Sequence, residues 1–411
     1  MATRSSPADP SAALPPHLDP RGRHRGRHGS RLAPYRLIGR TLGCLLSVGL
    51  LVLAGYVWQT YRDINKGVHR LKVAVDAPPS GKHDIDGTDQ NILLVGNDDR
   101  TNMTEAEVKA LHVGRDGGSM ATDTMMIVHV PADGAKATLI SLPRDSYVTI
   151  PGHGMNKLNS AYVTGYNASS GTDDEKRAAG ADLLIHTVTN LTGLTINHYI
   201  QVSLMGFYDI SNAIGGVTVN LCHAVDDTVA YNRSIGSDGG SGLVLSKGKH
   251  SIRGVQALEF VRQRHNLPNG DLDRVRRQQY FLTAAFRKVA SVGILFKLKA
   301  LGDAVKRNIY LDPSLNLIDL AHQMEKLSAN NITGKTIPFQ GFDNNSPVGS
   351  VEIVNPARVQ DFVKRLIDGP TTKPSGSTSG STGATKSATS KAPGSASTSA
   401  KPKAIDSACI N

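Results

Sequence analysis

Three apolar stretches decide how this chain folds: NILLVG (91–96), TMMIVHV (124–130) and KATLISL (136–142). Each is a short, nearly continuous run of apolar residues, which is the pattern of a strand buried on both faces. The turn sequence PADG (131–134) lies between the second and third stretches and predicts an antiparallel hairpin. The central sheet is therefore expected to form around these strands.

Longer helical patterns alternate with the apolar runs. DEKRAAGADLLIHTVTNLTG (174–193) closes on a glycine, which is a common helix stop. Further elements are predicted as strands over 198–203 and 217–222, and as helices over 204–214, 254–264, 271–290 and 356–369. This alternation predicts an α/β fold, an αβα sandwich in which helices cover a central mixed sheet.

The beginning of the chain has the composition of a membrane anchor with a basic leader. Residues 1–40 hold eight Arg and two Asp and are expected to be a disordered cytoplasmic segment. Residues 41–61 include TLGCLLSVGLLVLAGYVW (41–58), a run of eighteen uncharged positions near the lower limit for crossing a bilayer. The preceding arginines favour a cytoplasmic N-terminus, so we expect a single transmembrane helix with the rest outside the cell. A cleaved signal peptide is the alternative.

The remainder of the chain divides into three predicted parts. Residues 62–89 are polar, contain Pro78 and Pro79, and are expected to form an extracellular stalk. Residues 90–369 are expected to be the folded catalytic domain. Residues 370–411 are rich in Ser, Thr, Gly and Lys, and are expected to be a disordered tail, because such a composition buries too little apolar surface to offset the ordering entropy.

Charge and cysteine content exclude some classes of protein. The chain is formally +11, but residues 1–40 carry +6 and residues 371–411 carry +4, which leaves +1 for the body. A nucleic-acid-binding body needs a basic face to replace phosphate counterions, so no nucleic-acid partner is expected. Three cysteines are too few for a disulfide framework or a cysteine zinc site. A Cys222–Cys409 bridge is conceivable outside the cell, but two free thiols are favoured.

Two carboxylates and an arginine fall at strand ends that the hairpin brings to one edge of the sheet. Asp98 follows the first strand, Asp123 opens the second, and Arg144 follows the third. If the first two strands pair antiparallel, all three residues share that edge. Mg²⁺ prefers a few carboxylates together with water and substrate phosphate, so this edge is a candidate metal and phosphate site. Turn and capping chemistry is the alternative, since Asp is common at such positions.

A second charged set lies in FVRQRHNLPNGDLDRVRRQQ (260–279). A helix that begins near Asp271 would carry four polar side chains on one face: Asp271, Arg274, Arg277 and Gln278. Arg262 and Arg264 point the same way only if the chain is extended between them, which the following LPNG turn allows. Arginine binds phosphate oxygens bidentately and keeps its charge, so this set suits a pyrophosphate. A solvated basic helix face is the alternative.

Motifs for nucleophilic catalysis are missing from the sequence, which contains no GxSxG, no HExxH and no Walker loop. His223 and His265 are isolated and are expected to be structural or surface residues. An activity at the charged edge would therefore depend on positioning and charge.

The motifs NILLVGNDDR, TDTMMIVHV, SLPRDS, KLNSAY (157–162) and ALEFVRQRH…GDLDRVRRQQ follow one another in this order. In this order they resemble the successive motifs of the LytR-CpsA-Psr family of Gram-positive cell-envelope proteins. The resemblance covers about 90–290 and is expected to extend to 369. It implies one membrane span followed by an extracellular α/β domain, and the composition hints at an actinobacterial source.

The resemblance implies a Mg²⁺-assisted phosphotransferase that moves a glycopolymer from a polyprenyl-pyrophosphate carrier to peptidoglycan. Asp98 and Asp123 would be the metal-associated carboxylates. The expected catalytic set is Asp98, Asp123, Arg144, Arg262 and Arg264. The residues expected to contact or orient substrate are Arg100, Asp271, Arg274, Arg277 and Gln278. One position departs from the family pattern, because Ala121 stands where many members have an arginine.

Two other functions stay open at this stage. A hydrolase would use the same site with water as the acceptor, and a non-catalytic wall-binding or regulatory protein would need the anchor but not all the arginines. A lipid carrier also requires an apolar groove. Residues 204–214 and the aromatic side chains of Phe207, Phe260, Phe281 and Phe286 are candidates for its lining, with ordinary core packing as the alternative.

Overall fold

The computed structural model describes residues 68–76, 88–100, 103–111, 118–228, 240–263, 265–268, 270–291, 308–327, 331–368 and 409–411, with single positions at 47, 51, 55, 59, 62, 113, 302 and 306. The chain separates into two units, residues 1–59 and residues 60–411, and the fold described below is that of the second. The predicted leader, almost all of the predicted anchor and most of the predicted tail lie outside the described residues. In the part that is described, no helix combines the length and apolar character needed to cross a membrane.

A seven-stranded mixed sheet forms the centre of the fold. In spatial order its strands are β1 (His69–Arg70), β12 (Ile309–Leu311), β7 (His198–Val202), β2 (Gln90–Asp99), β3 (Gly118–Val130), β4 (Ala137–Leu142) and β13 (Ile332–Thr336). The pairs β2–β3 and β3–β4 are antiparallel, as the hairpin pattern predicts, whereas β2–β7 and β4–β13 are parallel. The prediction of a mixed sheet around the three apolar runs is confirmed.

Helices lie on both faces of this sheet. They are α1 (Glu105–Ala110), α2 (Ser160–Ala168), α3 (Asp173–Thr192), α4 (Leu204–Ala213), α5 (Val255–Arg262), α6 (Asp271–Ser291), α7 (Leu317–Gln323) and α8 (Pro356–Asp368), with a 3₁₀ turn at Met324–Lys326. On β2, Leu93 packs in the cluster that contains α2, α3 and α8, and Ile92 packs in the cluster that contains α6 and α7. Successive side chains of a strand point to opposite faces, so the two clusters form separate layers and the αβα sandwich is confirmed.

The first of these layers depends on the close approach of α2 and α3. A Cβ atom on Gly165 would lie 2.4 Å from the carbonyl oxygen of Ala179, and one on Gly180 would lie 2.7 Å from that of Tyr162. Only glycine at these two positions lets the helix backbones touch. Helix α3 begins with a capping box between Thr172 and Glu175, which stabilises its first turn.

Smaller sheets surround the central one. A four-stranded sheet has the order β14 (Gly341–Asp343), β15 (Val351–Ile353), β5 (Ser146–Ile150) and β6 (Gly154–Lys157). Two antiparallel pairs join β8 (Val217–Leu221) to β11 (Gly248–Ile252) and β9 (Val225–Asp226) to β10 (Val244–Leu245). Most of these short strands lack the apolar runs that marked the central ones, so the sequence did not predict them.

The stalk predicted over residues 62–89 is corrected for part of its length. His69 and Arg70 pair with Tyr310 and Leu311 of β12, and Leu71 is buried in the core. The folded body therefore begins before Gln90. A two-residue strand is too short to produce a periodic pattern, so it could not be predicted from its residues alone.

The expectation of two free thiols is wrong. Cys222 and Cys409 form a disulfide across a sequence separation of 187 residues. Beyond the bridge, Ile410 donates its N–H to the carbonyl of Asn220 at 2.8 Å and accepts the N–H of Cys222 at 2.9 Å. Residues 409–411 thus extend the small β8–β11 sheet and belong to the folded body, which corrects the expected tail boundary.

Asp312 ties β12 to β7 and is fully buried. Its carboxylate accepts the N–H of Tyr199 at 3.0 Å and that of Leu315 at 2.9 Å, and it lies 3.2 Å from Nδ1 of His198. Burial alone would raise the pKa of this carboxyl group, but the hydrogen bonds outweigh it and hold the pKa below the usual value.

Replacing Asp312 by alanine should therefore lower the free energy of unfolding by about 3–5 kcal/mol, because several buried donors lose their acceptor. Removing the exposed partner of Arg365, with Asp361→Ala, should cost less than about 1 kcal/mol and serves as the control. Since the native pKa is depressed, the contribution of Asp312 is present above about pH 4 and disappears as the pH falls further. Denaturant unfolding of both variants at a series of pH values measures these free energies. Equal losses of stability in Asp312→Ala and Asp361→Ala would contradict the role of Asp312.

The disulfide should also contribute measurable stability. Cys409→Ser should lower the free energy of unfolding by about 2–5 kcal/mol, because the bridge closes a very long loop in the unfolded chain. Cys222→Ser should cause the same loss, and combining the two should cause no more. A reductant should destabilise the parent protein and leave the variants unaffected. A parent that is as stable reduced as oxidised would exclude this contribution.

Candidate functional site at one edge of the central sheet

The hairpin brings Asp123 and Arg144 together, as the sequence predicts. Met125 of β3 pairs with Leu142 of β4, so the residue before Thr124 and the residue after Pro143 meet at the same edge. Nη1 of Arg144 lies 2.6 Å from Oδ1 of Asp123. The side chain of Asp123 is 38% exposed, so this carboxylate remains accessible from solvent.

Asp98 reaches this edge from β2. The β2–β3 pairing is antiparallel, with Gly96 opposite Thr124, but its register shifts on both sides of Asn97. Gly118, with φ of +74°, lets β3 approach at the end of the ladder, where a Cβ atom would fall 1.8 Å from the carbonyl oxygen of Asp98. Asp98 is held by Arg100, whose Nε donates to Oδ1 at 2.9 Å.

Helix α6 runs across the sheet towards the same edge. Nε2 of Gln279 donates to Oγ1 of Thr336 at 2.6 Å, and further along the helix Arg287 donates to the carbonyl of Ile332 at 3.4 Å. β13 is parallel to β4, and Thr336 pairs with Ser141 near the end of β4 that leads to Arg144. The N-terminal turns of α6 therefore extend beyond Gln279 towards the acidic residues. Arg274 lies five residues before Gln279, which is about 7.5 Å further in that direction along the helix axis.

The arginines of the α5–α6 connection are partly described. Arg262 is in the last turn of α5, and Gln263 follows with φ of −56° and ψ of +131°, which is the extended conformation that the predicted arrangement needs. Arg264 and the side chain of Asp271 lie outside the described residues. Arg274 is buried, and Nε2 of Gln278 donates to the carbonyl of Val261 at 3.3 Å, which ties α6 to α5.

Arg277 has a different role from the one predicted. Its side chain is buried over the ring of Phe260, at 4.8 Å from the centroid, and it donates to Oε1 of Gln263 and to the main-chain oxygen of Asn411, the latter at 2.6 Å. Burial lowers the pKa of Arg277 to about 10, although the charges of Asp273 and Asp227 act in the opposite direction. The expectation that Arg277 contacts substrate is corrected, because its guanidinium is already enclosed by protein.

Two charged residues at the edge were not singled out from the sequence. Oδ2 of Asp145 lies 3.2 Å from Nε of Arg144, and Nζ of Lys157 lies 3.1 Å from Oδ1 of Asp145. The N–H of Asn159 donates to the carbonyl of Arg144 at 3.0 Å. All of these residues belong to the SLPRDS and KLNSAY motifs. Their membership of these motifs was the signal in the sequence that could have identified them.

A buried ion pair lies on the other face of β2. Nη2 of Arg177 on α3 lies 2.8 Å from Oδ2 of Asp99, and its Nε lies 2.6 Å from Oδ2 of Asp173. The guanidinium stacks over the ring of Tyr310 at 4.8 Å. Burial opposes the charge of Arg177, but the hydrogen bond to Asp173 and the charge of Asp99 raise its pKa above the ordinary value. No local sequence pattern indicates this pair.

The carboxylates at the edge are of the donor type that Mg²⁺ prefers. Asp98 and Asp123 offer carboxylate oxygens that are partly exposed, and among the described residues no group of three or more His, Cys, Asp or Glu side chains forms a complete cage. Mg²⁺ is commonly held by one or two carboxylates, with substrate phosphate and water completing the shell. The donor set therefore suits an ion that enters with a phosphate.

The aromatic residues considered for a lipid groove are mostly core residues. Phe260 and Phe281 are buried, and the ring of Phe281 lies 4.9 Å from that of Phe207. Phe207 and Phe286 are partly buried and pack against these clusters. These four side chains pack against hydrophobic clusters, as ordinary core residues do.

The fold and this edge define a class of α/β domain in which two carboxylate–arginine pairs, Asp98 with Arg100 and Asp123 with Arg144, lie where antiparallel strands end. The sequence profile of the LytR_cpsA_psr family matches residues 59–366, and the chain belongs to that family. This confirms the resemblance drawn from the motifs.

The chain is similar to individual members of the family. It is 36% identical over 298 residues to a protein named cell wall biosynthesis protein LcpA from Corynebacterium glutamicum, covering 67% of this chain but only 55% of that protein. It is 31% identical over 307 residues to a polyisoprenyl-teichoic acid–peptidoglycan teichoic acid transferase TagU from Oceanobacillus iheyensis, covering 73% of this chain and 85% of that one. A solved structure titled TagT bound to LIIa-WTA covers 73% of this chain and 98% of its own, with a TM-score of 0.51 and 22% identity, and shows the same fold.

The ion pair at the edge should contribute little to stability. The side chains of Arg144 and Asp123 are 20% and 38% exposed, and partly exposed pairs of this kind typically contribute about 0–1 kcal/mol. Arg144→Ala should therefore change the free energy of unfolding by no more than about 1 kcal/mol, measured by denaturant unfolding. A loss of several kcal/mol would show that Arg144 is a structural residue.

Proposed function

We propose that this protein is a Mg²⁺-assisted phosphotransferase that moves a glycopolymer from a polyprenyl-pyrophosphate carrier to peptidoglycan. The observation that carries the proposal is the pairing of Asp123 with Arg144 at the edge where β2 also ends with Asp98, and towards which the arginine-bearing end of α6 extends. Membership of the family supports it, as do the names of the relatives, one of which is a teichoic acid transferase.

The arginines would bind the diphosphate of the carrier. Arg144 and Arg262 would neutralise its oxygens, and Arg264 and Arg274 belong to the same set by their positions in the motif. Arg100 would act indirectly, since it already holds Asp98. Rate enhancement in a phosphoryl transfer comes mainly from positioning and from stabilisation of charge.

Asp98 and Asp123 would hold Mg²⁺, which when bound supplies positive charge to the phosphate oxygens. In the transfer, a hydroxyl of the peptidoglycan glycan attacks the phosphorus next to the glycopolymer. The bond from that phosphorus to the bridging oxygen breaks, and polyprenyl phosphate leaves. The proton of the attacking hydroxyl passes to one of the edge carboxylates, of which Asp123 is the more exposed.

We place this reaction outside the cell, with residues 41–61 as a single-pass anchor and residues 1–40 in the cytoplasm. The Cys222–Cys409 disulfide supports this location, because disulfides persist in oxidising compartments and are rare in the cytosol. Anchoring would keep the domain at the membrane, where a polyprenyl carrier resides, and within reach of peptidoglycan.

The proposal is tested by incubating the full-length protein with a lipid-pyrophosphate-linked glycopolymer, Mg²⁺ and peptidoglycan. A covalent polymer–peptidoglycan conjugate is the expected product. Arg262→Ala should lower the rate of transfer by about 30-fold to 1000-fold, which corresponds to about 2–4 kcal/mol of lost transition-state stabilisation. Arg365→Ala is the matched control, because Arg365 also lies in the last turn of a helix but is remote from the edge and exposed.

Other outcomes would assign a different function. Release of polyprenyl phosphate and polymer without a conjugate, even with acceptor present, would indicate a hydrolase. Binding of peptidoglycan with no turnover would indicate a wall-binding protein. Transfer by Arg262→Ala at the rate of the parent would remove this arginine from the mechanism.

A further inference from the structure

The end of β2 carries charged side chains to both faces of the sheet. Asn97 and Asp99 are buried, Asp99 against Arg177 of α3, and Asp98 between them is partly exposed, as expected if it points to the other side. The register with β3 shifts between Gly96 and Asn97 and again between Asn97 and Asp98. The pairing resumes with Asp98 opposite Ser119 and Asp99 opposite Gly118, but across two irregularities, so a side-chain contact is needed to fix the direction of these last residues.

The Asp99–Arg177 pair is that contact. The two side chains are 5% and 2% exposed, and the close approach of α2 and α3 brings Arg177 to the sheet. The same guanidinium also forms an ion pair with Asp173 and stacks over the ring of Tyr310 on β12. It therefore joins β2 to two other elements through one rigid, planar group.

Stability alone does not account for the pair. A buried ion pair pays a large desolvation cost, and replacing both partners by well-packed neutral residues is often neutral or stabilising. The surrounding cluster is otherwise aliphatic and aromatic, and would accept such residues. What the pair supplies, and apolar side chains would not, is a fixed direction for the backbone at Asp99.

We propose that Arg177 is a positioning residue that acts through Asp99 to hold Asp98 towards the sheet edge; the inference rests on the proposed function. The direction of the Asp98 side chain depends on the orientation of Asp99, because adjacent side chains of a strand point to opposite faces. Loss of the Asp99–Arg177 pair would let the end of β2 rotate. The Asp98 carboxylate, with its partner Arg100, would then turn away from Asp123. Arg262 and Arg274 stand on other elements and would keep their places.

Loss of the Asp99–Arg177 pair should therefore affect metal binding and turnover but not binding of the lipid donor. Affinity for the divalent ion and the turnover number should fall, because both depend on Asp98. The KM for the lipid donor should change little, because the arginines that bind the diphosphate are unaffected. A purely structural pair would alter the melting temperature and leave these quantities alone.

The informative variant is Asp99→Asn combined with Arg177→Met, which removes both charges together and leaves no unpaired ion in the core. Its matched control is Asp173→Asn, which removes the other, 56% exposed partner of the same guanidinium and keeps the link to Asp99. Binding of Mn²⁺, used as a paramagnetic substitute for Mg²⁺, is measured by electron paramagnetic resonance in the absence of donor. Turnover, KM and thermal unfolding are measured on the same full-length proteins.

The double variant should keep a melting temperature close to that of the parent, bind Mn²⁺ about tenfold more weakly and turn over about tenfold more slowly, with KM within about threefold. Asp173→Asn should match the parent in Mn²⁺ affinity and turnover. A folded double variant with parental Mn²⁺ affinity and turnover would overturn the inference.

A second variant covers the case in which the double variant does not fold. Arg177→Lys keeps the charge but has a single ammonium group, which cannot hold Asp99 and Asp173 in the same two-armed geometry. It should shift Mn²⁺ affinity and turnover in the same direction, and parental values in a folded Arg177→Lys protein would also overturn the inference. If the parent shows no transfer at all, the proposed function fails, and the comparison of Mn²⁺ affinities still decides whether Arg177 positions Asp98.

Discussion

The antiparallel pairing of β2 with β3 is the constraint on which the site depends. It places the end of one strand and the start of the other at the same edge, and the β3–β4 hairpin then adds Arg144. Because the register shifts near Asn97, the edge is an interruption of the ladder that frees side chains for other partners. The aliphatic core on either face of the sheet holds this edge in place. The candidate site therefore lies where the regular strand pairing ends.

Each charge at this edge is compensated by a neighbour. Asp98 is paired with Arg100, and Asp123 with Arg144, which also contacts Asp145. Such pairs keep the edge close to neutral and hold the side chains in place before any ligand binds. On the proposed function, a diphosphate and a divalent ion would exchange partners with these pairs, the anion taking the arginines and the cation the carboxylates. Either exchange alone would leave charge unpaired, so the divalent ion should bind more tightly together with phosphate than by itself.

The sequence predicted those parts of the fold that have a local signature. The three apolar runs, the α3 helix ending at Thr192 before Gly193 and the meeting of Asp123 with Arg144 all follow from periodicity and turn chemistry over a few residues. The Cys222–Cys409 bridge and the Asp99–Arg177 pair join residues far apart in the chain, and composition carries no information about such partners. Arg277 was misjudged for a related reason. Helical spacing shows which residues share a face, but not whether that face meets solvent or protein.

The burial of Arg277 also connects the disulfide to the arginine-bearing loop. The bridge to Cys409 holds residues 409–411 against β8, and the main-chain oxygen of Asn411 then accepts a hydrogen bond from Arg277. Arg277 in turn holds Gln263, the residue that follows Arg262 in its extended conformation. A guanidinium whose pKa burial has lowered to about 10 needs such acceptors, because an unpaired buried charge is costly. Residues 409–411, which composition assigned to a loose tail, therefore support the arginine-bearing loop between α5 and α6.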